Sequence, residues 1–201
     1  MFYSPERERE WEVAPVYGQR VDADEFAATI LRMESHPEAA GYSDVGIRNL
    51  LYTSVLNIRP RRVLEVGLHI GIGAAIIAHG LKANGYGKLF SIEPNDAYRA
   101  IASQHLLDAN LADYVTILPY FSYDAECQAI LEAECPFDLI YIDADHTYAA
   151  ALQDLNLMST MLRDNGLMIL HDVGRSSASF DSTGQGGVRR ALNDFCTGNS
   201  A

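Results

Sequence analysis

The chain of 201 residues fits one domain with a sizeable core and leaves little room for a second. Hydrophobic residues at 48% and charged residues at 21% are the proportions of an ordinary globular protein, which excludes a disordered acidic tail, a collagen-like repeat or a disulfide miniprotein. With 27 acidic against 15 basic side chains, a formal charge of −12 and only Lys82 and Lys88 as lysines, the surface repels polyanions, so neither nucleic acid nor an anionic membrane is expected as a partner.

The N-terminus reads Ser4-Pro5-Glu6-Arg7-Glu8-Arg9-Glu10-Trp11, without the apolar run of a signal peptide or membrane anchor. No later stretch approaches the roughly 18 uninterrupted apolar residues of a spanning helix. Cys127, Cys135 and Cys196 are odd in number and form no CxxC or Cys/His cluster, the pattern of reduced thiols, so the expected location is cytoplasmic. Residues 22–34 and 44–57 have helical period and are separated by the loop 37–42. The segment 1–60 is therefore expected to be a helical cover or lid on one compact unit, 61–201.

From residue 62 onward, short β-branched runs alternate with longer segments of helical period, the signature of βαβ units. The strands read 62–66, 89–93, 115–118, 137–143 and 166–171, each nearly continuous in apolar residues, as strands covered by helices on both faces are. The helices read 72–84, 96–109, 123–134 and 148–163, the first stopped by Gly85 and the last by Asn165-Gly166, with a short helix near 188–196. This predicts an α/β fold, a doubly wound, mostly parallel Rossmann-like sheet of order 3-2-1-4-5. Such sheets place ligands beyond the carboxyl ends of the strands, at the switch point beside the first strand. Here those ends are polar: Glu65 with Gly67, Glu93, Ser122, Asp143 with Asp145 and His146, and His171 with Asp172.

The turn after the first strand, Glu65-Val66-Gly67-Leu68-His69-Ile70-Gly71-Ile72-Gly73, spaces its glycines as G-x-x-x-G-x-G. A dinucleotide fingerprint wants G-x-G-x-x-G, with a pyrophosphate on the helix N-terminus. A carboxylate at Glu65 would repel a pyrophosphate but suits a ligand with an ammonium or sulfonium group. Glu93, ending the second strand, is placed to accept hydrogen bonds from two ribose hydroxyls. A nucleoside with a positive centre satisfies both, and S-adenosylmethionine is such a ligand. A nicotinamide-dependent oxidoreductase is the rival enzyme, disfavoured by Glu65 and the glycine spacing.

These residues resemble the class I S-adenosylmethionine-dependent O-methyltransferases, on the catechol and caffeoyl-CoA branch and among bacterial methyltransferases that share I-D-x-D-H-x-Y followed by L-H-D. The stretch from Val63 to Gly71 is similar to the family's cofactor loop, which implies cofactor-binding roles for Glu65, Gly67, His69, Gly71 and Gly73. Ser91-Ile92-Glu93-Pro94-Asn95 resembles the segment whose Glu holds the ribose. Ser122 and Tyr123 stand where the family contacts adenine, with Tyr123 in place of a Gln of the catechol enzymes. The resemblance covers roughly residues 44–196 and implies a small hydroxylated acceptor, sugar-like or phenol-like, and leaves room for a homodimer.

Methyl transfer from sulfonium to oxygen is an in-line displacement, so the protein must align the acceptor and take its proton. In the divalent-metal members of the resembling family, Mg²⁺ is held by an Asp after the fourth strand and an Asp-Asn pair after the fifth, with a Lys as base. Carried over, Asp143 and Asp172 are the metal ligands, Asp143 also borders the cofactor, and His146 takes the place of the Lys as the catalytic base. His171 is a candidate partner of these groups. Val173 stands where the Asn should be and offers no oxygen. Residues 174–187 read as a mobile loop over the acceptor, and the family's two further antiparallel strands are expected to be missing, since the chain ends at Ala201. Val173 and this short end motivate a third reading, a non-catalytic nucleoside-binding module on the same fold.

Overall fold

The apolar runs form five parallel strands, β1 (Arg62–Val66), β2 (Lys88–Ile92), β3 (Val115–Leu118), β4 (Phe137–Ile142) and β5 (Leu162–Leu170), ordered β3-β2-β1-β4-β5. The computed structural model describes residues 23–39, 45–174 and 177–198. The helices are α1 (Ala23–Glu34), α2 (Val45–Ile58), α3 (Ile72–Asn84), α4 (Asp96–Asp108), α5 (Ala125–Glu134), α6 (Tyr148–Ser159) and α7 (Gly187–Gly198). None among the described residues is long and apolar enough to cross a membrane. The register pairs Val66 with both Ile92 and Ile142, and Ile92 with Leu118, so four strands end level. That alignment brings Gly67, Glu93 and Asp143 to one edge of the sheet.

Successive side chains of a strand point to opposite faces, and the core divides accordingly. Val63, Leu89, Leu139 and Tyr141 pack toward α3, whereas Leu64, Phe90, Ile140 and Ile142 pack toward α5, α6 and α7. Helix α3 is buried through Ala74–Leu81, which explains its lack of a polar face: α1 and α2 cover the side turned away from the sheet. His79 on that side is stacked against Phe26 at 3.7 Å and lies 5.4 Å from Tyr52, and burial lowers its pKa to about 4, so it sits there as a neutral aromatic. The described part of segment 1–60 thus covers α3, and none of it lines the cavity described below.

The sheet departs from the sequence expectation at β5. Asn165-Gly166, expected to stop a helix reaching 163, lies inside a strand, and α6 already ends at Ser159. The left-handed conformation of Asn165 (φ 60°) is spent on an irregularity in the ladder, where the register shifts between Phe137 and Leu139. Helix α5 begins at Ala125 rather than 123, because a turn from Phe121 to Asp124 precedes it and leaves Tyr123 outside the helix. Of the loop expected to be mobile, residues 175 and 176 lie outside the described residues; in its second half the buried Asp181 accepts from the amide of Thr183 at 2.8 Å, its hydroxyl at 2.6 Å and the amide of Gly187 at 2.8 Å, fixing the start of α7. All strand pairs among the described residues are parallel.

Candidate active site

The level strand ends open into a cavity of about 480 Å³. Glu65, Gly67, His69 and Gly73 form its wall on the β1 side, with Glu93 beside them. Ser122 and Tyr123 line it as well, as do Asp143, His146 and Asp172. Gly71 is the exception among the residues expected to bind cofactor. It stands behind the wall as the left-handed N-cap of α3 (φ 90°), with Ala102 of α4 where a side chain would go. Its role here is the turn and the helix contact.

Glu65 differs from the free carboxylate suggested by the sequence. It is fully buried, accepts a 2.5 Å hydrogen bond from the Ser91 hydroxyl, and burial pushes its pKa up to about 8. At neutral pH the group is mostly protonated, and a cationic ligand nearby would favour its ionised form. A Cβ at Gly73 would collide with this carboxyl group, and one at Gly67 (φ 100°) with the carbonyl oxygen of Asp143. Both positions thus need glycine for close approach.

Glu93 is 7% exposed, and each of its oxygens already has one fixed donor. The amide of His69 donates to Oε2 at 2.8 Å and that of Asn95 to Oε1 at 2.9 Å. By lone-pair count each oxygen can accept one further hydrogen bond. Asn95 in turn caps α4, accepting from the amides of Ala97 and Tyr98, and so anchors the segment. His69 (φ 50°) packs edge-on against Tyr98 at 4.3 Å, and burial lowers its pKa, leaving a neutral imidazole.

Tyr123 stacks on Phe121 with ring centroids 5.3 Å apart, and both rings are half-exposed. The Ser122 hydroxyl donates to Asp154 Oδ1 at 2.5 Å, and Gln128 donates to the Ser122 carbonyl. Asp154, on α6 with Ala150 and Gln153, is a lining residue that the sequence reading missed. The available signal was an acidic residue at i+4 from Ala150, on the buried face of the helix.

Two carboxylates and two imidazoles form a further cluster at the cavity. His146 Nε2 is 2.8 Å from Asp172 Oδ2 and 3.8 Å from Asp143 Oδ1; His171 Nδ1 is 2.9 Å and 3.3 Å from the same two oxygens. Neither nitrogen is aligned for a hydrogen bond, and both are buried. The Tyr141 hydroxyl donates to Asp143 Oδ2 at 2.8 Å. Burial opposes ionisation of Asp143, but His146, His171 and Tyr141 overcome it and hold the carboxyl below its usual range. Asp143 raises the pKa of His146 and, to about 9, that of His171, with Asp172 contributing to both. Asp172 has a left-handed backbone (φ 53°), strain of the kind stored at functional sites. Asp145 also lines the cavity, but its Oδ1 accepts from the Thr147 amide at the start of α6. Val173 packs into the core with the α6 and α7 layer, and Phe180 lies 5.9 Å from His146.

Donor atoms of Asp143, His146 and Asp172 lie within 4.8 Å of one another. Together with the two ring nitrogens that lack directed partners, this arrangement fits a divalent cation. The lining among the described residues includes no Lys or Arg, while Glu65, Glu93, Asp143, Asp145, Asp154 and Asp172 all border the cavity.

Residues 64–173 match the model of a family described as Methyltransferase domain. A catechol O-methyltransferase of Niastella koreensis is 32% identical over 85 residues, 42% of this chain and 38% of that protein's length. Among solved structures, an O-methyltransferase from Bacillus cereus in complex with SAH superposes with a TM-score of 0.69 at 20% identity, covering 95% of this chain and 82% of the other. The SAM complex of the O-methyltransferase TomG from Streptomyces achromogenes gives 0.66 at 19% identity, covering 98% and 86%.

Proposed function

Because the chain belongs to the Methyltransferase domain family, we propose that it transfers the methyl group of S-adenosylmethionine to a hydroxyl oxygen of a small molecule. The observation that carries this reading is Glu93: a buried carboxylate lining the cavity with Gly67 and Gly73, whose two oxygens can each accept one further hydrogen bond. The ribose diol binds there, and Tyr123 and Phe121 offer a flat apolar surface to the base. The methionine end extends past Gly67 and His69 toward Asp143, where Glu65 and Asp143 favour a positive sulfur. The absence of any Lys or Arg from the described lining suits a neutral or cationic acceptor and disfavours a polyanionic one.

Methyl transfer forms a C–O bond as the C–S bond breaks, with the electron pair returning to sulfur and the hydroxyl proton leaving to a base. His146 takes that proton, and Asp143 and Asp172, which lie beside its Nε2, stabilise the resulting imidazolium. Asp143 and Asp172 are also the residues that would hold a divalent ion. When bound, such an ion supplies Lewis acidity that lowers the pKa of the acceptor hydroxyl. Calorimetric titration with SAH, S-adenosylmethionine and NAD, followed by a screen of hydroxylated acceptors, tests the proposal. Binding of SAH without NAD and turnover of an acceptor are expected; NAD binding without SAH would overturn it, and SAH binding with no turnover on any acceptor would favour a binding module.

A further inference from the structure

Resting on the reading of this cavity as a nucleoside site, we propose that Asp154 selects the base, accepting a hydrogen bond from the exocyclic amino group of adenine. Asp154 is 5% exposed yet lines the cavity, on the same face of α6 as Ala150 and beside the Phe121–Tyr123 surface. Its Oδ1 is held by the Ser122 hydroxyl, which fixes the carboxyl group without consuming its second oxygen. No group among the described residues donates to that oxygen, so it is left to accept from a ligand in the cavity. The edge of adenine that distinguishes it from hypoxanthine presents an amino group, a donor that matches a carboxylate oxygen. Hypoxanthine puts a carbonyl oxygen there, which the same carboxylate repels. Ser122 then acts as a positioning residue: its proton is committed to Asp154, so its contribution to base recognition passes through the carboxylate.

The test compares SAH with its deaminated analogue, in which hypoxanthine replaces adenine, by calorimetry. The unmutated protein should bind SAH about tenfold to hundredfold more tightly than the analogue, the range expected of one hydrogen bond to a charged group. Asp154→Asn, which turns an amide donor or a weaker acceptor toward the base, should reduce that ratio at least about tenfold while the melting temperature reports an intact fold. Ser122→Ala is the second variant and should narrow the ratio by a smaller factor, so the idea stays testable if Asp154→Asn does not fold. Equal affinity for both ligands in the unmutated protein, or a ratio retained in the folded variants, overturns the assignment. Failure to bind either ligand instead overturns the nucleoside reading on which it rests.

Discussion

Replacing Glu93 by alanine removes the two acceptor sites assigned to the ribose and also unseats two backbone donors. In the folded chain the amides of His69 and Asn95 end on its carboxylate at 2.8 and 2.9 Å, in a residue that is 7% exposed. Each hydrogen bond from a ribose hydroxyl to the charged group contributes about 1.5–3 kcal/mol, so losing both removes about 3–6 kcal/mol, or about 10²–10⁴-fold in SAH affinity. The two released amides reach water through the open cavity, so the added cost falls on the order of the 67–73 loop more than on the global fold. Glu93→Gln separates these effects: its amide nitrogen can accept from neither backbone donor, so one of the two contacts becomes a clash, while one ribose acceptor survives. Titration calorimetry with SAH, beside thermal melting of each variant, should give the order wild type, Glu93→Gln, Glu93→Ala in falling affinity, with modest changes in melting temperature. An unchanged SAH affinity in folded Glu93→Ala refutes the ribose assignment and the cofactor reading built on it.

His146→Ala should lower kcat on an aliphatic hydroxyl by about 10²–10⁴-fold while leaving SAH affinity nearly intact; loss of cofactor binding instead of rate would sink the base assignment. Because Asp143, aided by Asp172, raises the imidazole pKa above its ordinary 6.5 and the neutral ring is the active form, the rate should fall with decreasing pH through a limb above 6.5, and stopped-time assays across pH locate it. Incubation with EDTA should abolish turnover and added Mg²⁺ or Mn²⁺ restore it, with Asp172→Ala inactive in either condition; full activity in chelator would leave the two carboxylates as partners of His146 alone. Glu65 titrates at about 8 when folded against 4.5 otherwise, so the folded protein holds an extra proton between these values and the stability tied to it is lost as pH rises toward 8. Urea unfolding of the ligand-free protein at about pH 6 and about pH 8 should show this slope, and Glu65→Gln should flatten it; identical slopes in both proteins would refute the burial argument.

The acidity of the cavity and the chain's charge act in the same direction. A site bordered by six carboxyl groups needs compensation, and His146 and His171 provide it locally by forming a mixed cluster with Asp143 and Asp172. Glu65 meets the same problem by holding its proton, and Asp154 by accepting a hydrogen bond from Ser122. A cationic sulfur, a cationic acceptor or a divalent ion each relieves what remains.

The strands and the placement of Glu65, Glu93, Asp143 and His146 toward one edge were legible in the sequence, because buried parallel strands read as nearly apolar runs and ligands lie beyond their carboxyl ends, although Glu65 proved to be a buried residue inside β1. The periodic pattern also located α1 and α2, although only packing revealed that they cover α3 through Phe26, Tyr52 and His79. What the sequence left open depended on contacts distant along the chain. Asn165-Gly166 carries the same turn chemistry whether it ends a helix or kinks a strand, and pairing with β4 made it part of β5. Gly71 and Gly73 look alike in the loop, yet one faces Ala102 and the other Glu65. Asp154 is 32 residues from Ser122, and His171 is 28 from Asp143 (171 − 143), so neither pairing has a local signature. Local propensity and periodicity select elements and their exposed ends, whereas the partner of a buried polar group is chosen only when the sheet closes and its desolvation must be offset.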